Sequence, residues 1–185
     1  MKNLFPYLVL SAIHLVFPSA HAEVTIYKEE TNTGTPTYIS MYGVSGYWAI
    51  KATRKSSSSR YRSCNMKPTN GDRSPRTGIF HTVIGPDFSI ISASGQRDRA
   101  SMTIPGRLRV KTTLKVGKER FDYMRDHFTE IPYDVVLAFA QLFIDGSRAT
   151  WTTEGKTASV SLIGFTDAWN YCVDFAGFDP LGTTE

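Results

Sequence analysis

The sequence of 185 residues has few of the residue types and motifs by which catalytic or metal sites are recognised. It contains two cysteines and four histidines, and only His81 and His127 lie beyond the first 22 residues. None of the spacings H-x-H, H-E-x-x-H or C-x-x-C occurs, although a zinc site needs three or four suitably spaced ligands. The nucleophile motif G-x-S-x-G and a glycine-rich phosphate loop are also absent. We therefore expect no metal, no cofactor and no enzymatic activity.

The remaining enzymatic alternative is a hydrolase acting on envelope polymers. Such an enzyme would need two carboxylates to meet in a cleft, or His81 and His127 to converge. The aspartates are scattered along the chain, and any two of them could meet in space, which the sequence alone does not show: Asp72, Asp87, Asp122, Asp126 and Asp134.

Long apolar runs are confined to the N-terminus. Lys2 is followed by "LFPYLVLSAIHLVF" and then by Ala20 and Ala22 in the A-x-A pattern of signal peptidase sites. An uncleaved anchor is the alternative, but Pro18 and the small residues follow the apolar core closely. We predict that residues 1–22 are a signal peptide and that residues 23–185 form a single strand-rich domain, periplasmic or secreted from a bacterium, with no membrane span after cleavage.

The charge and the cysteine count both bear on the exported chain. Lysine and arginine number 21 and aspartate and glutamate 17, so cleavage, which removes only Lys2, leaves a surplus of three positive side chains. This surplus permits an anionic partner. An even cysteine count in an oxidising compartment favours a bridge between Cys64 and Cys172. An intermolecular bridge and two free thiols are the alternatives.

Alternating patterns predict strands through most of residues 23–102. In "GYWAIKATR", Trp48, Ile50 and Ala52 point to one face and the residues between them to the other. Similar strand signals occur in "VTIYK", "TYISMYG", "RYRSCNM", "IFHTVI" and "FSIISAS". Further on, "RLRVKTTL" predicts a strand with Arg107, Arg109 and Lys111 on one face, either simply solvated or binding an anion.

Two helices are predicted, one central and one C-terminal. Pro132 and Asp134 suit the first turn of a helix over "VVLAFAQLFI", which Asp145-Gly146 ends. After a hairpin turning at Glu154-Gly155, Thr166 is the expected N-cap of the second helix. The inward face of that helix is predicted to hold Phe165, Ala168, Trp169, Cys172 and Phe175 or Ala176. The fold class is therefore mainly β, antiparallel and sandwich-like, with two helices.

Basic residues interleaved with a tyrosine supply the one candidate binding site. They lie in or beside two predicted loops, and such interleaving can bind nucleic acid or an anionic glycolipid. An exported protein is not expected to meet nucleic acid, so solvated loop charges and an anionic envelope or host-surface contact are the two interpretations. The set is Arg54, Lys55, Arg60, Tyr61, Arg62, Lys67, Arg73 and Arg76.

The last third of the chain resembles a known family. An apolar helix ("DVVLAFAQLFIDG"), two strands ("RATWTT" and "KTASVSL") and "IGFTDAWNYC" resemble the end of the invasion-associated locus B family of bacterial exported proteins. "GYWAIKA" followed by "SCNM" is similar to an earlier part of that family, so the resemblance covers Tyr42–Met66 and Arg107–Asp174. The chain lacks the cysteine that usually follows the tryptophan and the mid-chain cysteine pair, so the family's disulfides are not carried over.

The resemblance implies a compact, sandwich-like periplasmic or outer-surface protein without known enzymatic chemistry. Some members are associated with bacterial invasion of host cells. We accordingly predict a non-enzymatic binding or structural module whose partner is another protein or an anionic envelope or host-surface component. The alternative binding function is that of a periplasmic immunity protein that neutralises a toxin.

Overall fold

The computed structural model describes residues 23–56, 61–69, 87–93, 99–103, 109–124 and 133–177. Residues 1–22, which hold the predicted signal peptide, and the predicted strand "IFHTVI" lie outside these ranges. Within them the chain forms ten strands and two helices, in the following order: β1 (Thr25–Asn32), β2 (Tyr38–Ser45), β3 (Trp48–Lys55), β4 (Tyr61–Pro68), β5 (Asp87–Ala93), β6 (Arg99–Thr103), β7 (Lys111–Val116), β8 (Glu119–Met124), α1 (Tyr133–Ile144), β9 (Arg148–Thr153), β10 (Lys156–Ser161) and α2 (Phe165–Ala176).

The strands form two antiparallel sheets. The first sheet is a six-stranded meander in the order β1-β2-β3-β4-β5-β6, and the second has four strands in the order β10-β9-β7-β8. The predicted class is confirmed: the fold is mainly β and sandwich-like, with a central and a C-terminal helix. The predicted alternation of β3 is also confirmed, because Trp48, Ile50 and Ala52 are buried whereas Lys51 is exposed.

Aromatic rings connect the two sheets through the helices. The ring of Phe165 in α2 lies 4.9 Å from Trp48 of the first sheet and 5.3 Å from Phe143 of α1, measured between centroids. Phe143 in turn lies 6.2 Å from Trp151 of the second sheet. All four side chains are buried. Because each fully buried aromatic side chain removes a large apolar area from water, this row forms the centre of the core.

Helix α2 covers the first sheet with the side that the sequence predicted. Its buried residues are Phe165, Ala168, Trp169, Cys172 and Ala176, which recur at intervals of three and four. The predicted cap is wrong, because the N-cap is Gly164 rather than Thr166 and no side chain caps the helix. Gly164 has a φ of +86°, a conformation that glycine adopts without steric cost.

The turn between β2 and β3 lies directly against the start of α2. The N–H of Tyr47 donates to the carbonyl of Ile163 over 3.0 Å, and the indole N–H of Trp48 donates to the carbonyl of Ser161 over 3.1 Å. A Cβ added to Gly164 would lie 2.1 Å from the carbonyl oxygen of Ser45. The start of the helix is therefore determined by backbone contact, and a side-chain cap has no room to replace it.

The predicted Cys64–Cys172 bridge is confirmed and joins β4 to α2. The two cysteines are 108 residues apart, and both are fully buried. The hairpin of β9 and β10 is also confirmed, with positive φ at Glu154 and Gly155 as a type I′ turn requires.

The strand predicted at "RLRVKTTL" starts later than expected. It begins at Lys111, and Arg109 precedes it with a φ of +57°, in the left-handed region. Arg109 and Lys111 therefore do not share a strand face, while Arg107 lies outside the described residues.

Replacement of Cys172 by Ser should lower the melting temperature of the oxidised protein. Closure of a 108-residue loop restricts the unfolded chain and stabilises the fold by about 4–5 kcal/mol in the chain-entropy description. Thermal unfolding followed by circular dichroism measures the effect. Wild type under reducing conditions should lose a similar amount, and equal midpoints for the variant and the oxidised wild type would contradict the stabilising role.

Replacement of Gly164 by Ala should destabilise the protein by about 3 kcal/mol or more, because the new Cβ meets the Ser45 backbone at a positive φ. Gly155→Ala is the matched control. Gly155 also has a positive φ, +74°, but a Cβ added there would meet nothing within 4 Å, so only backbone strain of about 1 kcal/mol applies. Urea unfolding measures the free energy of unfolding of both variants. Equal losses would contradict the importance of the contact between residue 164 and the Ser45 backbone.

Candidate binding face

The first sheet divides the predicted basic set between its two faces. Arg54 and Lys55 end β3 and Tyr61 and Arg62 begin β4, so these four are strand residues. Arg54 is paired with Arg62 on the side of α2, which we call the inner face. Lys55 and Tyr61 alternate to the opposite side, the outer face. Lys67 also lies in β4 and is exposed, whereas Arg60, Arg73 and Arg76 lie outside the described residues, as do His81 and His127.

Arg62 has a structural partner. Its Nη1 donates to the backbone carbonyl of Phe175 over 3.2 Å, at the C-terminal end of α2. The last carbonyls of a helix have no partner within the helix and carry a partial negative charge, which an arginine stabilises. Arg62 therefore supports the attachment of α2 to the sheet, and this accounts for it without a ligand.

Three neighbouring cross-strand rows of the outer face form the candidate site. The first holds Tyr38 and Lys55 directly opposite each other, with Tyr61 beside them on β4. The second row is Glu30, Ser40, Thr53 and Ser63 in register. The third row is Lys28, Tyr42, Lys51 and Asn65.

In the first row, two tyrosines lie close together around a lysine. The rings of Tyr38 and Tyr61 meet edge to face, with centroids 5.9 Å apart and planes at 74°. Lys55 lies between them in the strand order, and all three side chains are half-buried. The aromatic contact positions both rings at one end of the face.

In the third row, Tyr42 lies between two ammonium groups. The Nζ atoms of Lys28 and Lys51 lie 5.7 and 5.5 Å from the centre of its ring, within the range of cation–π attraction. Glu30 forms an ion pair with Lys28. Hydrogen bonds from Lys28 and then Tyr42 lower the pKa of the Glu30 carboxyl, and the Glu30 hydrogen bond raises the pKa of Lys28.

On β2, β3 and β4 the middle row forms the floor of a shallow trough, which ends at Glu30 of β1. The hydroxyls of Ser40 and Thr53 are hydrogen-bonded at 3.1 Å, and Ser63 is buried. These side chains are much shorter than the tyrosines and lysines on either side. The first and third rows are four residues apart along each strand, which corresponds to roughly 13 Å. The trough runs across the strands, with hydroxyls at its base and aromatic and basic side chains along both edges.

The described side chains of the outer face carry more positive than negative charge. Four lysines and one glutamate give it a surplus of three positive charges: Lys28, Lys51, Lys55, Lys67 and Glu30. This surplus equals that of the whole chain after the predicted cleavage. The face is therefore electrostatically suited to an anion.

The outward side of the second sheet carries the same surplus of charge, with Lys111, Lys115, Arg120 and Arg148 against Asp122, but its described residues include no tyrosine. Asp122 accepts from Lys111 over 2.8 Å and from Thr113 over 2.6 Å, and it lies 3.4 Å from the Nε of Arg120. Hydrogen bonds from Lys111 and then from Thr113 hold the pKa of Asp122 far below its usual range. Threonines occupy the neighbouring positions, as in the hydrogen-bonded pair of Thr152 and Thr157.

The part of the chain that the structure describes holds no group of three or more histidine, cysteine or acidic side chains able to bind a metal. Its helices are too short or too polar to cross a membrane.

No family model, curated protein or solved structure matches the chain significantly. The resemblance to the invasion-associated locus B family therefore stays a prediction.

Four residues of the outer face were not recognised from the sequence as candidate binding residues: Lys28, Tyr38, Tyr42 and Lys51. A period of two is visible in Tyr38, Ser40 and Tyr42, and again in Lys51, Thr53 and Lys55. That period shows that each triplet shares a face. The strand register, which sequence reasoning did not supply, is what brings the two triplets together.

Arg62→Gln should lower stability by about 1 kcal/mol, because it removes a charged donor from the end of α2. Arg54→Gln is the matched control, since Arg54 faces Arg62 in the register and is exposed. We expect the control to stay within about 0.5 kcal/mol of wild type. Chemical denaturation measures both, and equal losses would contradict a specific contact between Arg62 and the helix.

Proposed function

We propose that the protein is an exported, non-enzymatic binding module whose outer face holds an acidic polysaccharide of the bacterial envelope or the host surface. The observation that carries the proposal is the trough between the two rows of tyrosine and lysine side chains. Its hydroxyl floor and basic edges are matched to a polymer that is at once hydroxyl-rich and negatively charged.

The chemistry of the two rows supports a sugar polymer. Lysine ammonium groups attract carboxylate or sulfate groups as point charges. The rings of Tyr38 and Tyr61 offer apolar surface and hydroxyls to a sugar ring. Ser40 and Thr53 offer further hydrogen-bonding groups between the rows. A small anion would use one lysine, whereas a polymer lying along the trough contacts both rows together.

Export is supported by the N-terminal sequence and by the disulfide. A bridge between Cys64 and Cys172 is stable in an oxidising compartment such as the periplasm or the extracellular space. Residues 1–22 have the features of a signal peptide. The resemblance to the invasion-associated locus B family supports the non-enzymatic part of the proposal.

The test is binding of polygalacturonate, a polymer of acidic sugars, to the disulfide-bonded chain of residues 23–185. Lys51→Ala together with Lys55→Ala should weaken binding about tenfold, because one lysine is removed from each row. Lys115→Ala together with Lys118→Ala is the matched control, since it removes the same charge from exposed positions of the second sheet and its turn. Biolayer interferometry measures both affinities, and binding should weaken as salt increases.

Several outcomes would contradict the proposal. Failure of wild type to bind polygalacturonate, or equally tight binding of uncharged dextran, would exclude an acidic polysaccharide. Equal weakening by the two lysine pairs would indicate diffuse attraction rather than a site. Tyr38→Ala, which leaves the charge unchanged, should also weaken binding, and an unaltered affinity would exclude a role for the aromatic row. Melting curves of all variants verify that they are folded.

A further inference from the structure

Strand β8 forms one edge of the second sheet. Among the described strands it pairs only with β7. Its side chains are accessible, because Phe121 is 41% exposed and Met124 62% exposed, and Arg120 and Asp122 are exposed as well. An edge strand presents backbone donors and acceptors to which another strand can pair.

The register determines which backbone groups face outward. Val116 and Glu119 are the hydrogen-bonded pair that closes the two-residue turn between β7 and β8. From this pair onward, opposed residues of an antiparallel ladder alternate between hydrogen-bonded and non-hydrogen-bonded positions. The backbone N–H and C=O groups of Glu119, Phe121 and Tyr123 therefore form hydrogen bonds with β7. It follows that the N–H and C=O groups of Arg120, Asp122 and Met124 point away from the sheet.

The side chains of β8 are complementary to a second copy of the same strand. When two β8 strands run antiparallel about a two-fold axis at Phe121, Arg120 of each copy lies opposite Asp122 of the other. These two residues carry the outward backbone groups, so each such pair exchanges two hydrogen bonds. The opposite charges attract across the strands, in addition to the contacts of Asp122 with Lys111 and Arg120 within each protomer. The two Phe121 rings come together on the other face.

Alternative pairings are less favourable. An axis at Asp122 would place two carboxylates directly opposite each other, and like charges in that position destabilise a sheet. The exposed edge strand β1 has a similar charge pattern, but an axis at Glu29 opposes two glutamates, and the ladder is irregular between Ile26 and Lys28. A bulge of this kind hinders edge pairing.

We propose that the protein forms a symmetric homodimer through antiparallel pairing of β8 with β8 of a second copy, centred on Phe121. The four-stranded sheet of one copy then joins the four-stranded sheet of the other copy, and together they form one continuous sheet of eight strands. The interface consists of one short strand pair on each side, so it belongs to the small, weak class of interfaces. The dimer is therefore concentration-dependent, and its interface shares no residue with the outer face of the first sheet.

Sedimentation velocity of the disulfide-bonded chain over a concentration series provides the test. Wild type should shift from monomer to dimer as the concentration rises. Arg120→Asp and Asp122→Arg should each be monomeric, because each variant opposes like charges to itself. An equimolar mixture of the two should form a heterodimer, because every opposed pair in the mixture is again of opposite sign.

Melting curves show whether Asp122→Arg is folded, since Asp122 also contacts Lys111, Thr113 and Arg120 within the protomer. Arg120→Pro is a second variant that introduces no like charge; it removes the guanidinium and an outward backbone N–H, a loss that an edge strand tolerates. It should be folded and monomeric. A wild type that stays monomeric at every concentration, charge-reversed variants that dimerise like wild type, or a mixture without a heterodimer would each overturn the proposal.

Discussion

The attachment of α2 to the inner face of the first sheet is the contact on which the rest of the structure depends. Cys172 is bonded to Cys64, the Phe165 ring packs against Trp48, and Arg62 donates to the end of the helix. These contacts cover one side of the six-stranded sheet with apolar side chains, and Arg62 neutralises the partial negative charge at the end of the helix. One face of the sheet is therefore packed in the core, and the polar side chains lie on the other face. The candidate binding face exists because the inner face is covered in this way.

The fold was predictable where a local pattern determines the structure. Alternation identified the buried side of β3, and spacings of three and four identified the buried side of α2. The Cys64–Cys172 bridge followed from an even cysteine count and an expected oxidising compartment. The cap of α2 could not be predicted in this way, since Gly164 is required by its contact with Ser45, a residue more than a hundred positions earlier.

The candidate site was predicted only in part for a related reason. Runs of basic residues in the sequence suggested a loop site, yet a strand sends neighbouring residues to opposite faces. Arg62 and Tyr61 are adjacent in the chain, but one supports α2 and the other joins Tyr38. Conversely, Tyr42 and Lys51 meet only because β2 and β3 pair in one register. Register depends on the turn and the core together, which no short motif records.

The order of the strands has a consequence for the newly made chain. The first sheet is a meander of sequential neighbours, so its six strands can assemble as soon as residue 103 is available. The helix that covers its inner face begins only at Phe165. During the interval, the apolar side chains of Trp48, Ile50 and Met66 lack their cover and are open to wrong association. A chain truncated before α2 would remain in that state permanently, which gives the last dozen helical residues an importance for solubility far greater than their number.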